Sequence, residues 1–302
     1  MILETALFNY ESGGLNKTSR RHEFGRLSAA FAHLTTAPAV IVQCEGRSYA
    51  DLGGEGLHGA AAALSETLGV RYVGLLGHLA RGPIAPAVFY NPETLTVRSW
   101  VGHGAEGVFD DWRNIGWFTV NATGTRLGVI AQHWDSTCGD RRLFEAKQVG
   151  RYGPHPDPVL LYGDLNTSAS GPHLPQRNWP EAEPKCRHHE GIDVGDDVIA
   201  DTRALDYLIG VHDEQCGERH DDMGFLAVCE LAHATGTPPE LAYAPTVNRD
   251  VVPNGAIIKD WLLANTVLAP RYVPGTYRVH LPPDDPQERS SDHNLVTASF
   301  DL

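Results

Sequence analysis

Six places along the chain set chemically capable side chains at the ends of short apolar runs. Asn9 ends the first such run, and Glu45 follows Ile41-Val42-Gln43-Cys44. His133-Trp134-Asp135 ends another, and Gly163-Asp164-Leu165-Asn166 closes the apolar Val159-Leu160-Leu161-Tyr162. Lys259-Asp260-Trp261 sits within an apolar stretch, and Ser291-Asp292-His293 opens the last one. Active sites collect at such positions because the strand fixes the side chain and the loop exposes it. Carboxylates and amides offer the oxygen donors that hard divalent cations take. A histidine held by a carboxylate keeps one tautomer and favours the imidazolium. Covalent catalysis has little support: the chain has no G-x-S-x-G elbow, and none of Cys44, Cys138, Cys186, Cys216 and Cys229 stands in a recognisable Cys–His signature.

These residues need elements to hold them, and the apolar periodicity supplies them. Alternation predicts strands over 3–9, 37–44, 70–75, 85–90, 95–100, 116–120, 127–133, 159–163, 256–263 and 294–300, with a hairpin turn at 121–125. Helical spacing predicts helices over 20–34, 56–68, 199–211 and 223–234. Residues 167–198 read as one long loop rich in Pro, Gly, His and charge. Interleaved strands and helices with no separating linker predict one α/β domain over 1–302. Its 302 residues carry 38 acidic against 24 basic side chains, a formal charge of −14, which excludes a generally basic nucleic-acid coat. No apolar run reaches the 18 or so residues of a membrane span, and the amino terminus lacks the pattern of a signal peptide. The five scattered cysteines read as free thiols, so a cytoplasmic setting is expected.

The order of the polar clusters, from Asn9 to His293, resembles the endonuclease/exonuclease/phosphatase superfamily, the deoxyribonuclease-I-like proteins. Their signatures are an early Asn, a Glu after an apolar strand, an H-L-like element, G-D-x-N, an I-D-x-I-like strand and a C-terminal S-D-H. The resemblance implies a four-layer α-β-β-α sandwich of two packed mixed sheets, with a specificity loop and helical insertion at about 167–250. It implies a phosphoester hydrolase that uses Mg²⁺ or Mn²⁺, in which a positioned water attacks in line. Glu45 is then the principal metal carboxylate, with Asn9 and Asp292 at its edge and Glu11 as a further acidic candidate. Asp164 orients or deprotonates the water, and Asn166 hydrogen-bonds a phosphoryl oxygen or the nucleophile. His133 contacts the phosphate, and Asp260 orients His293. Asp206, in Arg203-Ala204-Leu205-Asp206, imitates the same family string and is the rival to Asp260, although its surroundings read as helical.

Departures from the pattern bear on substrate. Lys259 stands where Arg is usual, Trp134 where Leu is commoner, and the W-C-D-R signature of phosphoinositide 5-phosphatases is absent around Asp260. The 167–198 loop, expected to border the site with Arg177 and His188 as substrate contacts, has three basic residues against six acidic ones. A nonspecific nuclease gains affinity by neutralising several phosphates with Lys and Arg. A small phosphorylated metabolite or a phosphodiester of one is therefore the leading substrate class. A DNA or RNA nuclease and a catalytically silent phospho-ligand or protein-binding relative are the alternatives. Three other patterns carry less. Gly54-Glu55-Gly56-Leu57-His58-Gly59 lacks the acidic partner of a dinucleotide site. Cys186-Arg187-His188-His189-Glu190 lacks the spacing of a zinc cage. His212, His220, Asp221 and Asp222 read as a solvated loop.

Overall fold

The computed structural model describes residues 1–78, 84–102, 114–247, 256–282 and 289–302. The strands are β1 (Ile2–Asn9), β2 (Val40–Arg47), β3 (Val73–Leu76), β4 (Ile84–Tyr90), β5 (Leu95–Val101), β6 (Ile115–Val120), β7 (Arg126–His133), β8 (Val159–Asp164), β9 (Gly191–Val194), β10 (Asp197–Ala200), β11 (Val211–His212), β12 (Arg219–His220), β13 (Phe225–Ala227), β14 (Asp260–Asn265), β15 (Arg278–His280) and β16 (Leu295–Asp301). The helices are α1 (Gly25–Phe31), α2 (Asp51–Leu68), α3 (Gly139–Val149), α4 (Pro184–Glu190), α5 (Arg203–Ile209), α6 (Val228–Ala234) and α7 (Pro239–Ala242).

Two six-stranded sheets result, ordered β15-β16-β1-β2-β4-β3 and β13-β14-β8-β7-β6-β5. Each is mixed: β1 runs parallel to β2 and β7 parallel to β8, while the other pairings are antiparallel. The period of two along a strand sorts its side chains between layers. In β1 and β2, Leu3, Leu7, Val40, Val42 and Cys44 enter one core with residues of the second sheet. The intervening Ala6, Phe8 and Ile41 meet Leu27, Phe31, Leu57 and Leu64 of α1 and α2 on the outer face. Phe8 and Phe31 are almost wholly buried, and each such side chain contributes about 1.5–3 kcal/mol. A hydrogen bond between Thr5 Oγ1 and Tyr162 Oη, 2.7 Å long, ties the sheets together across that core. Ala146, Val149, Leu205, Leu208 and Val228, from α3, α5 and α6, pack with the second sheet. The layers are helix, sheet, sheet, helix.

Several elements differ from expectation for local reasons. The helix expected over 20–34 shrinks to α1. Arg20 is left-handed at φ +58°, and His22 bridges Leu15 as extended backbone, so residues 20–24 close a turn instead. The helix expected over 199–211 begins only at Arg203, because Ile199 and Ala200 pair with Ile192 and Gly191 in a hairpin. Phe225–Ala227 leave the helix expected over 223–234 to become the edge strand β13, whose Leu226 faces outward. The strand expected over 256–263 joins its ladder only from Asp260. The 167–198 loop is not structureless, since it carries α4 and β9. Residues 248–250, the end of the expected insertion, lie outside the described residues. Among the described residues no helix is long and apolar enough to cross a membrane, and the five cysteines are free thiols.

Candidate active site

Strand register alone gathers much of the polar set. His133, at the end of β7, is the cross-strand partner of Asp164 at the end of β8, and Asp164 is in turn the partner of Asp260 at the start of β14. In the other sheet Asn9 pairs with Cys44, one residue before Glu45. Cys44 links the sheets here: its thiol donates to Gln132 O at 3.4 Å, and Asp164 N donates to its Sγ at 3.3 Å. His293 itself forms an antiparallel bridge to Val247, two residues before β16 begins. Two residues of the set have left-handed backbones, Glu45 at φ +61° in an irregularity of the β2–β4 ladder and Asn166 at φ +48°. A non-glycine residue is costly there, and such strain concentrates at functional sites.

Asp164 is the hub. Its Oδ2 accepts from Asn9 Nδ2 at 3.0 Å, and its Oδ1 accepts from Asn166 N at 3.0 Å. The Nε2 atoms of His133 and His293 each stand 3.8 Å from Oδ2. The Asn166 amide is aimed by its own donation from Nδ2 to Trp134 O at 3.1 Å. Asp260 Oδ2 and His293 Nδ1 are 2.7 Å apart. Asp206 is no partner of His293: its Oδ1 accepts from Ser170 N and Oγ inside the helical insertion.

The electrostatics follow from this geometry. Burial alone would pull the His293 imidazole down. The carboxylates of Asp260, Asp164 and Asp292 outweigh it and push it up to about 10, so His293 is an imidazolium at neutral pH. Asp164 also suffers burial, but the neighbouring His293, His133 and Lys259 and the Asn166 N–H hold its carboxyl below the usual range. Burial raises Asp260, against the pull of His293.

A divalent ion would need oxygen donors nearby, and the structure supplies one directly. Asn9 Oδ1 is a buried acceptor with no hydrogen-bond partner. Glu45 is half-buried and fixed by Ser12 N, which donates to its Oε2 at 2.8 Å. Asp292 is half-buried beside His293, with Ser291 Oγ 3.1 Å from its Oδ1. This donor set fits a hard cation. Asp164, Asp260 and His293 also place ligand atoms within 4.8 Å of one another. A protonated His293 has no lone pair to give, so that trio suits proton handling instead.

Other expected residues lie apart. Glu11 is exposed and lines a surface groove with Lys17, Glu23 and Arg26, touching the set only through its backbone N on Ser291 Oγ at 3.2 Å. Arg177 is 5% exposed and pairs with Glu190 at 2.8 Å, so it is held inside the fold. Lys259 Nζ takes the other oxygen of Glu190, also at 2.8 Å. His188 is exposed on α4, against His189. Thr246 is a supporting residue that the sequence did not mark: its Oγ1 accepts from both Lys259 N and Asp260 N at 3.0 Å and so fixes the start of β14. Ser291 Oγ donates to Asn9 O at 2.7 Å, which joins the Ser291-Asp292-His293 run to the end of β1.

The fold of two facing mixed sheets flanked by helices is shared with solved structures of endonuclease/exonuclease/phosphatase proteins. An AP endonuclease from Archaeoglobus fulgidus superposes with a TM-score of 0.59 at 16% identity, covering 99% of this chain and 100% of its own. An endonuclease/exonuclease/phosphatase from Bacteroides vulgatus gives 0.59 at 14%, covering 100% and 99%. TDP2 from D. rerio, in complex with a single-strand DNA product, gives 0.58 at 14%, also covering 100% and 99%. No protein-family model matches the chain, and no curated protein matches it in sequence.

Proposed function

We propose that this protein is a divalent-metal-dependent phosphoester hydrolase acting through attack of a positioned water. The observation that carries this reading is the convergence on Asp164 Oδ2 of Asn9 Nδ2, His133 Nε2 and His293 Nε2. Asp164, ionised and held by two donors, orients the attacking water and accepts its proton. His293, kept cationic by Asp260, and His133 face the phosphoryl group and stabilise its developing charge. The remaining Nδ2 hydrogen of Asn166 is free for a phosphoryl oxygen. Such preorganised electrostatics are usually the largest catalytic term. Asn9, Glu45 and Asp292 would hold Mg²⁺ or Mn²⁺, which polarises the phosphate and neutralises the leaving oxygen when bound.

The substrate we propose is a small phosphorylated metabolite or a phosphodiester of one. Arg177 and Lys259 share the single carboxylate of Glu190, so only one positive charge is left between them for a polyanion. The chain is acidic overall, so the charge footprint of a nonspecific nuclease is weak. A nuclease is the second reading, favoured by the likeness to the AP endonuclease and to the DNA-bound TDP2. Purified protein assayed with Mg²⁺ and Mn²⁺ on chromogenic phosphomonoesters and phosphodiesters, and on supercoiled plasmid, decides. Metal-dependent turnover of the small esters without plasmid nicking is expected. Nicking at comparable efficiency selects the nuclease, and no turnover of any phosphoester with either metal overturns both.

A further inference from the structure

The β11–β12 hairpin holds a second, chemically different cluster of donors. Asp213, Cys216 and His220 each bring one ligand atom within 4.8 Å of the others. Cys216 Sγ is 3.4 Å from His220 Nε2, and His220 Nε2 is 3.8 Å from Asp213 Oδ2. A tetrahedral Zn²⁺, with sulfur at about 2.3 Å and nitrogen or oxygen at about 2.0 Å, holds its ligand atoms about 3.3–3.6 Å apart. The three side chains therefore stand close to the spacing of three corners of such a site.

This arrangement is a product of the turn. The hairpin pairs Val211 with His220 and His212 with Arg219, which returns His220 toward residues seven and four positions earlier. Within the turn, Asp213 N donates to Glu218 O and Gly217 N to Asp213 O, both at 2.8 Å. Gln215 N donates to Asp213 Oδ1 at 2.8 Å, which leaves Oδ2 as the oxygen that faces His220. The side chains of Asp213 and His220 are 41% and 52% exposed, so an ion can reach them and water can complete its shell. A thiolate, an imidazole and a carboxylate select a borderline-soft ion such as Zn²⁺ over Mg²⁺.

The hairpin is also anchored toward the chain that follows Asn166. His212 N donates to Ser170 Oγ at 2.9 Å and Arg219 Nη2 to Ser170 O at 2.8 Å, while Arg219 is clamped on Glu230 at 2.7 Å. An ion on the turn would stiffen a unit that holds Ser170, four residues beyond Asn166.

We propose that Asp213, Cys216 and His220 form a Zn²⁺-class site, with water as the fourth ligand. On binding, Cys216 forms the metal–sulfur bond and its thiol proton passes to the buffer, with no change in oxidation state. The full-length protein, in excess Mg²⁺ so that the oxygen-donor site is filled, is titrated with Co²⁺ and then with Zn²⁺. One equivalent of Co²⁺ is expected to give a thiolate-to-cobalt charge-transfer band in the near ultraviolet, which Zn²⁺ then displaces. Cys216→Ala abolishes the band, and His220→Ala weakens Zn²⁺ binding by more than about 100-fold, beyond the loss typical of an outer-shell partner. All three side chains are solvent-accessible, so the variants keep the wild-type circular dichroism. No band in the wild type, a band that survives Cys216→Ala, or wild-type affinity in His220→Ala each overturns the assignment.

Discussion

Asp164 and Asp260 are cross-strand partners, two buried carboxylates facing one another in β8 and β14. Like charges directly opposite in a sheet destabilise it. The pair is tolerable because the His293 imidazolium stands against both, 2.7 Å from Asp260 and 3.8 Å from Asp164. The site is therefore a balanced charge cluster, and removing any one member should shift the others in a direction the geometry dictates.

Asp260→Asn is the sharpest probe of that balance. It keeps the shape but removes the main counter-charge of His293, whose pKa should drop far from about 10. Asp260 acts through His293, so kcat on the best phosphoester should fall about 10²–10⁴-fold. The basic limb of the pH–rate profile should move to lower pH in step. Turnover rates across the pH range, with NMR titration of the His293 ring, check this. A purely structural Asp260 would lower activity and leave the limb in place.

Stability should respond to pH through the same imidazole. His293 binds its proton more tightly folded than unfolded, with about 10 against 6.5. Its contribution is fully present below pH 6.5 and is lost as pH rises through 10. Wild-type Tm should decline over that window by clearly more than the Tm of Asp260→Asn. Differential scanning fluorimetry at constant ionic strength measures both, and parallel declines would refute the coupling.

Asp164→Asn should separate catalysis from folding. An amide can accept only one of the two hydrogen bonds that Asp164 now takes from Asn9 and Asn166. The other donor then faces an N–H, at a cost of about 1–3 kcal/mol. Relief of the repulsion from Asp260 offsets part of that cost. Hydrolysis should nevertheless fall at least 10²-fold, the range typical of a lost general base. Turnover and circular dichroism, measured together, test this. Wild-type turnover in a folded variant would remove Asp164 from the chemistry.

Much of this was legible in the sequence because a strand that ends in a polar residue is marked twice, by its apolar run and by the residue that closes it. Asn9, His133 and Asp164 were visible in that way. Asp206, three residues after Arg203, imitates the same string as Asp260 after Lys259, and the sequence favoured Asp260 through the helical surroundings of Asp206. Only the fold sends Asp206 to Ser170 and Asp260 to His293. Arg177 looked like a free cation because its partner, Glu190, lies 13 positions on and meets it only through α4. The helix α3 was hidden by its many charges, two of which, Arg142 and Glu145, are buried. The three- and four-residue spacing of Asp213, Cys216 and His220 would suit one face of a helix, but here the closing of the β11–β12 hairpin brings them together.

Gly13 offers a test of the metal carboxylate that leaves every proposed ligand in place. Its φ is +59°, and a Cβ there would stand 2.8 Å from both Glu45 O and Tyr49 Cε1. Gly13→Ala must therefore push on the strained backbone of Glu45, besides adding left-handed strain of about 1–3 kcal/mol. The turn of residues 11–14 also carries Ser12 N, the donor that fixes Glu45 Oε2. If Glu45 holds the activating ion, the Mg²⁺ concentration for half-maximal turnover should rise about 10–100-fold, as for other losses of ligand orientation. The Tm gain that saturating Mg²⁺ gives the wild type should shrink in Gly13→Ala and vanish in Glu45→Gln, since the gain scales with RT ln(1 + [L]/Kd). An unaltered Mg²⁺ dependence in Glu45→Gln would show that the ion is held by other residues.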